Sequence, residues 1–499
     1  MAANQLARYG VKFCIIDSKD GPTVQSRAIA VTARSMEIYQ QMGLSDTAIE
    51  QGRFITEFAI YVKGKAKAIA TIGEFGKGLT DFSYLLAFEQ SKNETMLTEN
   101  LSALGHEVNW NTELVSMVQQ GDQIEATVKR MDQEGQPEEK ITARYAIGCD
   151  GARSIVRHQF GFTFKGGTYE QLFYVADTNL KWQEGFNRLI LCPTRKNFCG
   201  FFPLGGANTH RIIGTVPKEF TDPDHVQFED LRKVILETVQ FPMEIEKVNW
   251  FSVYKLHHRS VNVFRKGNCF LAGDAAHIHS PAGGQGMNTG LQDAYNLSWK
   301  LALVIKGIAN EKLLDTYNEE RRPFARWLLR FTDRFFGIMT GHNYLMSWFR
   351  NNVVPRVLKF ALGKPKLRKI MFRTLSQVQW SYDYSSMSKT WAHQAIKFKT
   401  GDRLPYLEVN TMSGRKSFYS LLTAPCFHLI VIGDLDLTMM GNNLVRMVYR
   451  SLEEWKPLGV SHKLYILVRP DNYIGLISDD MNDIILREYL RKQCHFIDP

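Results

Sequence analysis

The chain has 499 residues, 44% hydrophobic and 22% charged, with a formal charge of +10. That balance excludes a disordered or fibrous protein and predicts a globular one of roughly three domains. The positive excess favours anionic ligands such as phosphate-bearing cofactors, but no dense lysine and arginine run argues for nucleic acid. Cys14, Cys149, Cys192, Cys199, Cys269, Cys426 and Cys494 form no C-x-x-C pair and no zinc-spaced cluster with histidine. Their scatter predicts a reduced, cytoplasmic protein, and no apolar run approaches the ~20 residues of a membrane span.

Residues 2–8 are good helix formers, and Gly10 is a natural stop. Val11–Ile16 then reads as a short strand ending at Asp17, with "SKDGP" as a turn. In a dinucleotide fold, an acid at this place accepts hydrogen bonds from the adenosine ribose. Asp17 is therefore a ribose ligand or a turn former. The phosphate-binding glycine loop should lie roughly 20 residues before that acid. Only 16 residues precede Asp17, so residue 1 falls inside or just at the first helix. Either the start lies downstream of the real one, or the chain is shortened and its nucleotide binding impaired.

In "YAIGCDGARSIVRHQFG" (145–161) a strand ends at Cys149, Asp150–Gly151 turns, and a helix starts near Arg153–Ser154. Asp150 is a ligand or a helix cap. From about 170 to 257, short apolar runs with turns predict a mostly antiparallel sheet, in which Tyr174, Phe201 and Phe202 are sheet packing or line a substrate pocket. In "NCFLAGDAAHIHSPAGGQGMNTGLQDAYNLSWKLALVIKG" (268–307) a strand ends at Gly273–Asp274. A loop with Pro281, Gly283, Gly284 and Gly286 follows, then a helix from about Met287 to Gly307. Met287, Leu291, Ala294, Leu297, Leu301 and Ile305 mark its buried face. Glycines leading into a helix present free amides and the positive end of its dipole to an anion. Asp274 would repel a bare phosphate and needs a hydroxyl donor. A polyol beside a pyrophosphate meets both demands, as in flavin adenine dinucleotide (FAD).

Beyond residue 310 the pattern is helical, amphipathic, basic and aromatic, which suits a helical connector on the flavin domain or a membrane surface. In the last ~100 residues a strand at "CFHLIVIG", a helix at "NLVRMVYRSLEEW" and a strand at "KLYILVR" predict a small α/β domain.

"AGDAAHIHSPAGGQGMNTG" and "CDGARSIVR" resemble the second flavin motif and the Asp-Gly motif of the class A flavoprotein aromatic monooxygenases, the family of para-hydroxybenzoate hydroxylase and phenol 2-monooxygenase. "SRAIAVTARSMEIYQQMGL" and "FEQSKNETMLTENL" resemble the segments that bring an arginine and a glutamine to the cofactor, here Arg27 and Gln90. The resemblance implies that Asp17 holds the ribose, Asp150 serves flavin and nicotinamide nucleotide, and Asp274 with Gly273 meets a hydroxyl beside the pyrophosphate. Pro281, Gly283, Gly284, Gly286, Met287 and Asn288 would line the isoalloxazine. "WSYDYSSMSK" resembles the family linker before a final domain. In the phenol hydroxylase branch that domain is thioredoxin-like; here it lacks a C-x-x-C, so its role would be structural or interfacial.

The expected fold is α/β: an N-terminally truncated, Rossmann-like FAD-binding domain (1–170 and 257–330), an inserted antiparallel substrate domain (171–256), a helical connector (331–395) and a thioredoxin-like C-terminal domain (396–499). The implied activity is hydroxylation of an aromatic or phenolic substrate by molecular oxygen through a flavin hydroperoxide, with NADPH or NADH as electron donor. Neither a metal nor nucleic acid nor an integral membrane segment is expected; a homodimer is possible. The alternatives are a flavin oxidase or reductase without oxygen insertion, and a non-catalytic homologue with impaired FAD binding. No catalytic base is apparent. The positions where some relatives carry an acid are Ala28 and Ile29, and His210, His257 and His258 fit core or surface roles as well as catalysis.

Overall fold

The strand Cys269–Leu271 lies parallel to Ala146–Gly148, with Leu271 opposite Gly148, and Arg265–Lys266 flanks it. Parallel register sends both following turns, Asp150–Gly151 and the 3-10 turn Gly273–Ala275, to one edge. A side chain at Gly148 would collide with Leu271 and Val156 at 2.8–2.9 Å, so the strand packs directly on the next helix, Ile155–Gln159. The computed structural model describes residues 1–497 apart from 27, 184–186, 195–196, 207, 281–283, 341–343, 412–413 and 435–443.

The helix Ala2–Arg8 forms as expected, and Gly10 turns the chain with φ +61°. The expected strand after it does not form. Residues 11–16 make a single bridge, Ile16 with Asn109. Asn109 N donates to Ile15 O and Asp17 N to Asn109 O, so the run is held at one point only. An apolar run becomes a strand only where a ladder partner runs beside it.

An eight-stranded sheet dominates the other side. Its order is His277–Ile278, Met243–Val261, Phe164–Trp182, Thr209–Thr215, Phe198–Pro203, Arg188–Pro193, Glu57–Val62 and Lys65–Thr71. All neighbours are antiparallel except Arg188–Pro193 with Glu57–Val62. The helix Phe228–Val239 closes one face, its Phe228, Leu231 and Ile235 sharing a core with Ile190, Phe201 and Ile212.

The helix Gly286–Ile305 runs through the centre and is buried on nearly all sides from Asn288 to Val304. Leu291, Ala294, Leu297 and Leu301 are buried as periodicity predicted, while Met287 is half-buried and Ile305 is exposed. A second long helix, Lys312–Thr340, packs beside it and carries Pro323 within it. Shorter helices follow at Tyr344–Trp348, Val354–Leu362 and Pro365–Leu375. Among the described residues no helix is long and apolar enough to cross a membrane.

The last unit is a five-stranded mixed sheet in the order Lys389–Trp391, Ile474–Ser478, Leu464–Val468, Phe427–Ile432, Val445–Arg450. The expected helix over 443–455 is instead the edge strand Val445–Arg450, parallel to Phe427–Ile432, with a short helix at Leu452–Trp455. Valines at 445 and 448 and Tyr449 suit a pleated edge better than a helix.

This unit is bound to the centre by buried charge. Arg469 donates to both oxygens of Glu320, at 2.5 and 2.9 Å, and to Asp471. Lys300 reaches Glu320 at 2.7 Å, and Trp299 Nε1 donates to Asp471 at 3.1 Å. Burial pulls the Lys300 ammonium down to about 8, against the pull of Glu320. Arg34, on the helix Ala33–Met42, donates to Glu37 and to Asp471 O, and Arg403 donates to Glu37 at 2.6 Å. The stretch expected to be a linker joins the same network: Tyr382 OH accepts from Arg321, and Ser385 Oγ donates to Glu320.

Candidate active site

The first turn of the helix Gly286–Ile305 has no side-chain cap. Its N-cap residue Gln285 is engaged elsewhere, donating to Leu375 O and accepting from Gln377. Among the described residues no side chain caps the first-turn amides, which stand at the positive end of a 20-residue helix.

Asn288 fixes that turn in place. It is fully buried, and its Oδ1 accepts from Thr32 N, Thr32 Oγ1 and Ser35 Oγ at 2.7–3.2 Å. Its Nδ2 donates to Ala30 O and Gly284 O. The Asn288 side chain is therefore spent on protein, which leaves its backbone amide for a ligand. Gly284 has φ +65°, and a Cβ there would stand 2.9 Å from the Ala30 Cβ. Only glycine fits both the backbone angle and the space.

The Gly273–Ala275 turn lies against the same helix. Gly273, at φ +60°, sits so close to Gly290 that a Cβ on Gly290 would be 3.3 Å from the Gly273 Cα. Gly273 N donates to Asp293 Oδ2, and the Asp274 side chain stands exposed beside it. Asp293 is the anchor that sequence reasoning missed. Its Oδ1 accepts from Arg321 Nε, and His277 Nε2 lies by Oδ2, each at 2.7 Å. Burial would push the Asp293 carboxyl up, but Arg321 and His277 outweigh it and hold it below the usual carboxylate range. The signal available was an acid inside an apolar helix, which must find partners when buried.

The remaining expected residues gather on the same side. Gln90 opens the helix Gln90–Ala103; its N donates to Ala28 O, and its side chain donates to Glu94. Glu94 also accepts from Thr23 N and Lys19, and Lys19 N donates to Asp17 Oδ1. Asp17 keeps an exposed carboxylate. Ala272 N donates to Gly148 O, joining the Asp274 turn to the strand that precedes Asp150. Asp150 accepts from Val156 N at 3.0 Å, so one of its oxygens caps the helix Ile155–Gln159. Arg27, Pro281 and Gly283 lie outside the described residues.

Beyond this cradle, the large sheet and the helix Lys312–Thr340 meet in an aromatic cluster. Tyr169 packs on His258 and Phe336, and Phe173 on Phe336 and Tyr254, with ring centroids 4.6–6.5 Å apart. Tyr169 OH donates to Asp333; burial and that carboxylate raise the phenol above its ordinary value. His279 is held by Ser280 O, its Nε2 has no partner among the described residues, and burial lowers its imidazole. His257 contacts Thr168 Oγ1 at 2.7 Å. His210 lies wholly buried against Trp182, inside the sheet and closed to any substrate.

The cradle suits FAD: uncapped amides at a helix start, glycines where a side chain would collide, and exposed carboxylates for hydroxyl groups. Comparison with known proteins agrees. Residues 1–332 match the family described as FAD binding domain. The 6-methylpretetramide 4-monooxygenase of Streptomyces rimosus is 30% identical over 508 residues, covering 95% of this chain and 87% of that protein. An uncharacterized aromatic compound monooxygenase of Bacillus subtilis is 34% identical over 487 residues, covering 96% and 92%. An aromatic hydroxylase from angucycline biosynthesis superposes with a TM-score of 0.76 at 26% identity, covering 99% of this chain and 96% of that one. The chain belongs to the FAD-dependent aromatic monooxygenases.

Proposed function

We propose that the protein hydroxylates a phenolic aromatic substrate bound between the cradle and the Tyr169–Phe336 cluster, with NADPH or NADH as electron donor. The observation that carries this reading is the uncapped start of Gly286–Ile305 beside the exposed Asp274. FAD, when bound, supplies the redox chemistry; the chain supplies binding, orientation and a dry site. Asp17, Gln90 and Asp274 would meet its hydroxyl groups, Asp150 its edge by the free oxygen, and the amides of Gly286, Met287 and Asn288 its negative charge. Gly273 and Gly284 keep the backbone close enough for this, and Arg27, Pro281 and Gly283 complete the set. Asp333, paired with the Tyr169 hydroxyl, is placed to take up a proton at the substrate side, and the rings of Phe173, Phe336 and Tyr254 exclude water.

The C-terminal unit is proposed to be thioredoxin-like with a purely structural role. Cys426 and Cys494 are both unpaired, and Cys494 is buried. Burial raises both thiols, which disfavours the reactive thiolate.

The purified protein is expected to show flavin absorbance. It should also oxidise NAD(P)H faster with a phenolic polycycle and yield a product heavier by one oxygen atom. Asp274→Ala should lose flavin. Substrate-stimulated oxidation that yields only hydrogen peroxide across a broad panel would replace this reading by an oxidase. A protein that takes up no flavin would replace it by a non-catalytic homologue.

A further inference from the structure

From Arg334 to Tyr382 the sequence holds nine lysines and arginines and no aspartate or glutamate. This stretch carries nearly the whole net charge, because the remainder of the chain is close to balance. Arg350 is buried, but much of the rest stands exposed on two consecutive helices. On Pro365–Leu375, Lys366, Lys369, Ile370 and Arg373 share an exposed stripe at helical spacing. On Val354–Leu362, Arg356, Val357, Lys359 and Phe360 do the same, with the Lys364 ammonium 5.6 Å from the Phe360 ring centre. Among the described residues no ion pair engages Lys359, Lys364, Lys366, Lys369 or Arg373.

Large apolar side chains stand among these charges. Leu345 is 76% exposed, Phe360 63% and Ile370 54%. The face continues onto the hairpin of Glu57–Val62 and Lys65–Thr71. Lys63, Lys65 and Lys67 line a cleft of about 510 Å³ with Tyr344 and Trp348, and no carboxylate lines it.

We infer that this face docks on an anionic lipid surface. Charge complementarity selects the partner, since lysines free of carboxylates gain most at a negatively charged interface. The aliphatic side chains select lipid over nucleic acid. Leu345, Val357 and Ile370 offer nothing to a phosphodiester backbone, whereas an amphipathic surface helix buries such groups at the headgroup boundary. The inference does not rest on the proposed reaction.

The test is co-sedimentation of the full chain with vesicles of phosphatidylcholine alone or of equal parts phosphatidylcholine and phosphatidylglycerol. The chain should pellet with the mixed vesicles only, and high salt should release it. Combining Lys359→Glu, Lys366→Glu and Lys369→Glu should lower the bound fraction about tenfold. Leu345→Ser with Phe360→Ser should also weaken pelleting while salt sensitivity remains. If a variant melts early, the salt and lipid series on the native chain decides. Pelleting indifferent to phosphatidylglycerol, an unaffected charge-reversal variant, or tighter retention on a duplex oligonucleotide than on mixed vesicles would overturn the inference.

Discussion

Arg469 grips Glu320 through both of its guanidinium NH2 nitrogens, with both side chains shut off from solvent. Glu320 lies on the helix beside the flavin cradle and Arg469 follows a strand of the C-terminal sheet. Removing one partner of a buried pair leaves an uncompensated charge, at a cost of about 3–5 kcal/mol. Arg469→Met should therefore lower the melting temperature strongly, and early unfolding of the whole chain should accompany it. An unchanged melting curve would show that the pair contributes nothing.

Asn288→Ala should loosen the start of the central helix. The change removes all the hydrogen bonds that tie it to Ala30, Thr32, Ser35 and Gly284. Leaving buried partners unmet costs about 1–3 kcal/mol each at most, and their losses overlap. FAD affinity, read by fluorescence titration, should fall at least tenfold. Unaltered affinity would place the cofactor away from this turn.

Asp293→Asn should act at a distance from any ligand. It discharges the group held by Arg321 and His277 and weakens the anchor of the Gly273 amide. Both stability and flavin retention should drop. Gly290→Val offers a check, because its side chain would press on the Gly273 Cα without touching the charge network. Loss of flavin in both variants identifies the Gly273–Ala275 turn as the common element.

Stability should fall as pH drops from 6.5 towards 4. Burial lowers His210 and His428 to about 4, and the nearby Arg446 adds to the shift at His428. A group with a lowered folded-state value stabilises fully above its unfolded value, here 6.5, and the benefit is lost as pH falls to the folded one. Each contributes at most about 3 kcal/mol. His428→Leu should flatten the melting temperature over that window, and a native curve already flat there would rule the effect out.

The parallel strands at 146–148 and 269–271, the turns behind them and the central helix were readable, because each couples an apolar run to glycine at a fixed offset. The run 11–16 looked identical to a strand and lacks only a neighbour, which a local reading cannot supply. Val445–Arg450 misled for the converse reason: its composition also suits a helix, and pairing with Phe427–Ile432 decided the outcome. At the site, the glycines and Asp274 were visible from motif position. Asn288 was singled out by motif position, but the use of its side chain to tie the helix start to residues 30–35 was not legible, since those partners lie some 250 residues away. Asp293, Arg321 and Arg34 were hidden, because only the tertiary structure shows that such polar side chains are buried together.

The interleaved charges around Asp471 and Glu320 have a consequence for dissection. Cutting the chain near residue 395 would strip Glu320 of Arg469, Arg34 of Asp471 and Glu37 of Arg403, so the remaining four-fifths should precipitate rather than survive as a smaller enzyme. Exchanging this terminal unit with that of a relative should succeed only when the acceptors and donors for those three groups travel with it.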